Sequence, residues 1–223
     1  MQKLSINSII FLTLIVFLSA CGGEDVGTAT SEVVSSSTVP PISTTPSGSF
    51  TISDAGAIEG LVIKCSLVES KTAQEGSFDC LNFPLSVYIG DFKIGELQEA
   101  TYDNTFYIQD LLGVARGATA HTEVTKISMI LQSLDEDAQP LNGITLTDET
   151  LSLLNTHISS TTDLLTLSFE DIDTIIEDVI SSKLIQNPNS QLKAVDYITA
   201  QSNLTTKVAE LPALTYVQRT TEG

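Results

Sequence analysis

Residues 85–97 read LSVYIGDFKIGEL. Val87 and Ile89 lie on one face, Gly90-Asp91 offers a two-residue turn, and Phe92 and Ile94 resume that face on the return, which is the pattern of a β-hairpin. Working outward, Leu61 to Leu67 is a second run of β type, and Thr105 to Ile108 offers a further edge strand. Together they predict a small antiparallel β meander. After Gly117 the apolar spacing changes from two to three and four. Val124, Ile127, Ile130, Leu131 and Leu134 predict a helix behind Thr122, and Leu151, Leu154 and Ile158 predict one behind Thr147 or Asp148. Ser168 with Asp171 forms a capping-box pattern ahead of the stripe Phe169, Ile172, Ile175, Ile176, Val179 and Ile180. A last helix is expected from Ser190 to about Asn203. The fold class is therefore α+β, a small antiparallel β meander followed by a cluster of about four helices.

Toward the N-terminus the hydrophobic period disappears. Residues 22–53 are rich in Gly, Ser, Thr and Pro, the composition of a flexible tether, with an average reach of about 30 Å for a coil of this length. Before it stand Lys3, an apolar run from Ile9 to Leu18 and the small residues Ser19 and Ala20, the three parts of a signal peptide in order. The run is too short to span a bilayer, which takes about 20 apolar residues. Three segments follow: a signal peptide over 1–20, a tether over 21–53, and one globular domain over 54–223.

Leu18-Ser19-Ala20-Cys21 resembles the lipobox of bacterial lipoproteins. That resemblance implies that Cys21 is lipidated and becomes the mature N-terminus, so the chain would be held on a membrane without crossing it. Gly22 stands where an Asp would mark inner-membrane retention, which by the same resemblance implies the outer membrane.

Of 223 residues, 28 are Asp or Glu and 10 are Lys or Arg, a formal net charge of −18. A nucleic-acid ligand is excluded, because phosphate neutralisation needs a basic face. Losing the signal peptide removes Lys3 and makes the mature chain more acidic still. The acids are unevenly placed: between Lys126 and Lys183 there is no Lys or Arg, while Asp135, Glu136, Asp137, Asp148, Glu149, Asp163, Glu170, Asp171, Asp173, Glu177 and Asp178 all fall there. This is either a solvated acidic face or an attractor for divalent cations or a basic partner.

Cys65 and Cys80 are the other two cysteines. In exported sequence a Cys65–Cys80 disulfide is the expectation, with two buried thiols as the alternative. No GxSxG, HExxH, P-loop or GxGxxG occurs, and His121 and His157 are the only imidazoles, so an enzyme is not expected. The turn Asp135 to Ile144 offers Asp135, Asp137 and Asn142 as a loose calcium set, with calcium as the one cofactor to consider. It is not an EF-hand, since Pro140 stands where Gly is needed and Leu146 where Glu is needed.

The run from Tyr88 to Gly95, through Leu111-Leu112-Gly113, to Leu131-Gln132-Ser133-Leu134-Asp135-Glu136-Asp137 and Pro140-Leu141-Asn142-Gly143-Ile144 resembles a domain of exported proteins and lipoproteins of Gram-negative bacteria. There a β segment with a repeated Gly precedes a helix ending in an LQxLDxDxxPxNGI turn. The resemblance spans most of residues 58–204 and implies a shape but no activity. Ala138 and Gln139 stand where such proteins tend to have Gly and Asp. The expectation is a lipid-anchored, non-catalytic envelope module that binds an envelope protein or a glycan or has a structural role. The alternatives are a calcium-dependent adhesive or glycan-binding domain, or an envelope hydrolase in which a cleft joins His121 or His157 to a Ser and an Asp.

Overall fold

The computed structural model describes residues 48–159 and 161–211. The expected signal peptide, Cys21 and the tether up to residue 47 lie outside the described residues. Among the described residues, nine strands and five α-helices follow one another as β1 (Gly48–Ser53), β2 (Ile58–Glu59), β3 (Val62–Cys65), β4 (Val68–Lys71), β5 (Ser77–Cys80), β6 (Leu85–Ile89), β7 (Phe92–Leu97), β8 (Thr105–Tyr107), α1 (Ile108–Leu111), α2 (Thr122–Ser133), β9 (Ile144–Thr145), α3 (Asp148–His157), α4 (Phe169–Gln186) and α5 (Tyr197–Ala209). The class is α+β.

The predicted hairpin is β6–β7, turning at Gly90-Asp91, and it belongs to a four-stranded antiparallel sheet ordered β4-β3-β6-β7. Ile63, Leu85, Val87, Ile89 and Ile94 are fully buried, so the alternating residues of these strands do point to one core. A bulge shifts the register between Val87 and Tyr88, pairing Val87 with Gly95 and Tyr88 with Lys93. Gly95 is needed there: a Cβ would lie 2.6 Å from the Leu111 Cβ and backbone oxygen, so α1 can press on the strand only over glycine.

The meander is not the whole of the β structure. A second sheet, β5-β1-β8, places β1 between an antiparallel β5 and a parallel β8. Residues 48–53, expected as the end of the tether, are thus the central strand of that sheet. The stretch GSFTIS has only two apolar side chains, Phe50 and Ile52, among small polar ones, too weak a period to stand out after a Ser/Thr/Pro run. What buries it is aromatic: Phe50, Phe78, Phe83 and Phe106 pack with ring centroids 5.4–6.3 Å apart. The Cys65–Cys80 disulfide, Cα–Cα 5.8 Å, joins β3 of one sheet to β5 of the other. A third, minimal pairing sets β2 parallel to β9.

The helices begin where capping chemistry puts them. Ser168 and Asp171 do form the capping box of α4, with Asp171 N–H donating to Ser168 Oγ (3.1 Å) and Ser168 N–H to Asp171 Oδ2 (3.0 Å). Thr147 caps α3. The residue flanking α2 is His121, and Thr122 is its first helical residue, not its cap. The last helix starts seven residues later than expected, because Asp196 takes the capping role by accepting from Thr199 N–H (2.8 Å). The chain ahead of it runs across the end of α2, with Val195 N–H donating to Ser133 Oγ (2.8 Å).

From Val124 to Ser133, α2 is buried on all sides, its polar residues there included. Fully buried Asp54 accepts from Ser128 Oγ and from Gln132 Nε2 (2.9 Å), and Gln132 Oε1 in turn accepts from Asn203 Nδ2 (2.8 Å) on α5. So Asp54, the residue that follows β1, is joined with α2 and α5 by a hydrogen-bonded chain through the interior.

Candidate functional site

The turn after α2 is where the sequence placed a calcium set, and the fold does bring its three residues together. Asp135 is buried, and its two oxygens accept from the backbone N–H groups of Gln139 and Thr145, both at 2.9 Å. Asp137 accepts from the Gln139 N–H (2.9 Å) and from Asn142 Nδ2 (3.1 Å). Ile144 N–H continues to the Ala57 carbonyl (2.8 Å), which starts the β2–β9 pairing. Gly56 packs under this turn, where a Cβ would meet the Pro140 oxygen at 2.5 Å. The carboxylates therefore tie the end of α2 to β9, and a cation would have to displace backbone donors to reach them. Among the described residues, no group of three or more His, Cys, Asp or Glu is arranged to hold a metal ion.

Burial raises the Asp135 carboxyl to about 6, helped by its neighbour Asp137, whereas the Asn142 amide holds Asp137 below the usual carboxylate value. Burial also raises Asp54. Both carboxyls thus keep a proton to higher pH in the fold than in the unfolded chain, where Asp loses it at about 3.9. Their contribution to stability is complete below that value and is lost as pH rises, for Asp135 through about 6. The melting temperature is expected to fall between pH 5 and pH 7. Asp54→Asn, which leaves an acceptor for Gln132 and a donor for the Ser128 hydroxyl, should flatten part of that fall. Asp135→Asn sets an amide N–H against a backbone N–H, and is expected to cost about 1–3 kcal/mol at pH 7.5 by urea denaturation.

The acidic stretch is compensated at its α3 end, where Lys71 pairs with Asp148, while both lysines that bracket it turn inward. Lys183 is 1% exposed and reaches Glu149 Oε2 (2.6 Å) and Glu136 Oε2 (3.8 Å), and Lys126 donates to the Leu165 carbonyl (2.9 Å). Glu170, Asp173, Glu177 and Asp178 on α4 are left exposed.

A serine, a histidine and an aspartate do meet at the end of α3. His157 Nε2 lies 2.9 Å from Ser182 Oγ, and His157 Nδ1 lies 3.9 Å from Asp178 Oδ2. The atoms are those a nucleophilic triad uses, but the Asp is 59% exposed and beyond hydrogen-bond reach, and Ser182 and Asp178 sit one turn apart on one helix. His121 is paired with Glu123 (3.0 Å). The grooves lie elsewhere. One, about 660 Å³, is lined by Tyr88, Phe92, Ile94, Leu111, Leu112 and Leu165 among others, between the β6–β7 hairpin and α1.

Two features carry no signal in the sequence. Arg116, an isolated cation in a loop, clasps Asp103, Asp110 and the Thr105 carbonyl. Leu67, Val68 and Leu81 stand exposed around the disulfide, and nothing in a β-type run distinguishes an inward from an outward apolar residue at a hairpin tip. Among the described residues no helix is long and apolar enough to cross a membrane. Comparison with protein-family models, with curated proteins and with solved structures finds no match to this chain.

Proposed function

We propose that the chain is a lipid-anchored, non-catalytic module of the cell envelope, held on the outer membrane through Cys21, whose acidic helical half faces an envelope protein or a glycan. The observation that carries the reading is the ordered succession of charged start, apolar run, lipobox-like Leu18-Ser19-Ala20-Cys21 and tether. The Cys65–Cys80 disulfide supports it, since disulfides persist in oxidising compartments outside the cytosol. The inward-turned Lys126 and Lys183 support the partner side, because they leave the outer surface of α4 able to attract a basic region over a Debye length of about 8–10 Å.

Growth with labelled palmitate tests the anchor. Label is expected on the wild-type protein and absent from Cys21→Ser, which should leave the membrane fraction. An unlabelled wild-type protein would refute the anchor. The hydrolase alternative has the His157–Ser182 contact in its favour. It predicts that a fluorophosphonate probe labels Ser182, and that Ser182→Ala abolishes the label.

A further inference from the structure

We propose that Leu67, Val68 and Leu81 form an apolar tip by which the folded domain rests on the lipid surface it is anchored to. The inference rests on the lipid-anchor reading above and adds to it an orientation. Ser66-Leu67 makes the turn of the β3–β4 hairpin, with Cys65 and Val68 as its last facing pair and Ser66 at a φ of 56°. Leu67 is 100% exposed, Val68 63% and Leu81 63%. Leu81 follows Cys80, whose disulfide to Cys65 brings the two strand ends together, so the three apolar side chains belong to one end of the domain.

The chain arrives at that same end. Gly48 is the register partner of Cys80. Between Cys21 and Gly48 lie 26 residues of tether composition, with an average reach of about 30 Å for a coil. A tip at the tethered end is held near the headgroups at a millimolar-scale effective concentration, so insertion that would be negligible for a free protein suffices. A solitary exposed Leu would need no explanation, but three at the anchored end of the fold do.

Charge favours the same orientation. Near the tip, Lys64 pairs with Glu69 (3.2 Å) and Asp79 stands beside Cys80, while Lys71 faces Val62 at the far end of β4 and pairs with Asp148 of α3. The acidic helices stand at the other end of the strands. β6 leaves Cys65 at Leu85 and reaches the Gly90-Asp91 turn, where Asp91 N–H donates to Asn155 of α3 (3.2 Å), and α3 packs on α4. Anionic headgroups would repel that end and leave the tip, with its fewer acids, toward the bilayer.

The chain contains no Trp, so single reporters can be placed. Leu67→Trp and, as the distal control, Ile185→Trp on α4 would be purified from membranes with the anchor and reconstituted at one protein per several thousand lipids. The vesicles hold three parts phosphatidylethanolamine to one part phosphatidylglycerol, with and without brominated acyl chains. The expected result is at least about twofold stronger quenching by brominated lipid for Trp at 67 than for Trp at 185. Val68→Asp with Leu81→Asp should bring the two to the same level. Equal quenching from the start overturns the proposal. A blue-shifted but unquenched reporter also overturns it and assigns the tip to a protein partner, or to a second copy if the shift vanishes on dilution. Intact mass shows separately whether Cys21 is acylated. If it is not, the same pair of reporters is compared with the Cys21 thiol joined to a maleimide headgroup, where equal quenching overturns the tip by itself.

Discussion

A Cys65→Ala/Cys80→Ala variant is expected to lose about 3 kcal/mol of stability, the chain-entropy value for a loop of about 15 residues. The corresponding fall in melting temperature is about 6–12 °C for a domain of this size. The reason lies in where the bond sits. β3 and β5 belong to different sheets, no backbone ladder joins them, and the disulfide is the covalent link across the aromatic-lined interior. Because the bond acts chiefly on the unfolded chain, the urea midpoint should fall while the slope m rises, as the denatured state expands. Wild-type protein held in reductant should give the same curve as the double variant. An unchanged slope with a lower midpoint would show instead that the loss is one of native packing, since both side chains are buried.

Arg116→Ala should cost a similar amount, about 3 kcal/mol, at the low end of what removing one partner of a buried ion pair costs. Its Nη1 meets Asp103 Oδ2 at 2.6 Å, its Nε and Nη2 meet Asp110 Oδ2 at 3.1 and 3.0 Å, and its Nη2 donates to the Thr105 carbonyl at 2.8 Å. The guanidinium also lies 4.7 Å from the centre of the Tyr107 ring. Its side chain is 15% exposed and those of Asp103 and Asp110 are 27% and 17%, so the orphaned carboxylates would be poorly hydrated. Arg116→Lys keeps the charge but not the fork, and should recover less than half of the loss. Arg116→Met combined with Asp103→Asn and Asp110→Asn should recover most of it, because no charge is then left unpaired. Burial pushes the Asp103 carboxyl up, yet Arg116 and the Thr105 N–H outweigh it and hold the value low. Its contribution is therefore present above about pH 3.9 and is lost as pH falls through the folded value. The opposite signs of Asp103 and Asp135 place the stability maximum in mildly acid solution.

What the sequence made legible follows the distance over which each device acts. The Gly90-Asp91 hairpin and the Ser168–Asp171 capping box are local, and both appear at the predicted residues. α5 is present but starts seven residues after the expected Ser190, at Tyr197, because Asp196 caps it and the chain before it is held across the end of α2 through Val195 N–H. β1 is different. Its partners begin 24 and 52 residues beyond its end, so its strand character is conferred by Phe78 and Phe106 and not by its own period. At the turn after α2, the residues proposed as cation ligands were correctly seen as close neighbours. Their direction was not legible, because whether a carboxylate faces solvent or a backbone N–H depends on β2, a segment some 80 residues earlier.

β1 also determines how the domain would bear a pull. A domain held by its N-terminus and dragged by a bound partner receives the force at Gly48, along the axis of a strand flanked on both sides by ladders. Backbone hydrogen bonds run across the strand axis, so such a load shears them together and does not peel them one at a time. The disulfide at Cys80, opposite Gly48, then passes the strain to the second sheet before β1 can slide. The architecture favours slow rupture under tension, a rate property distinct from its equilibrium stability.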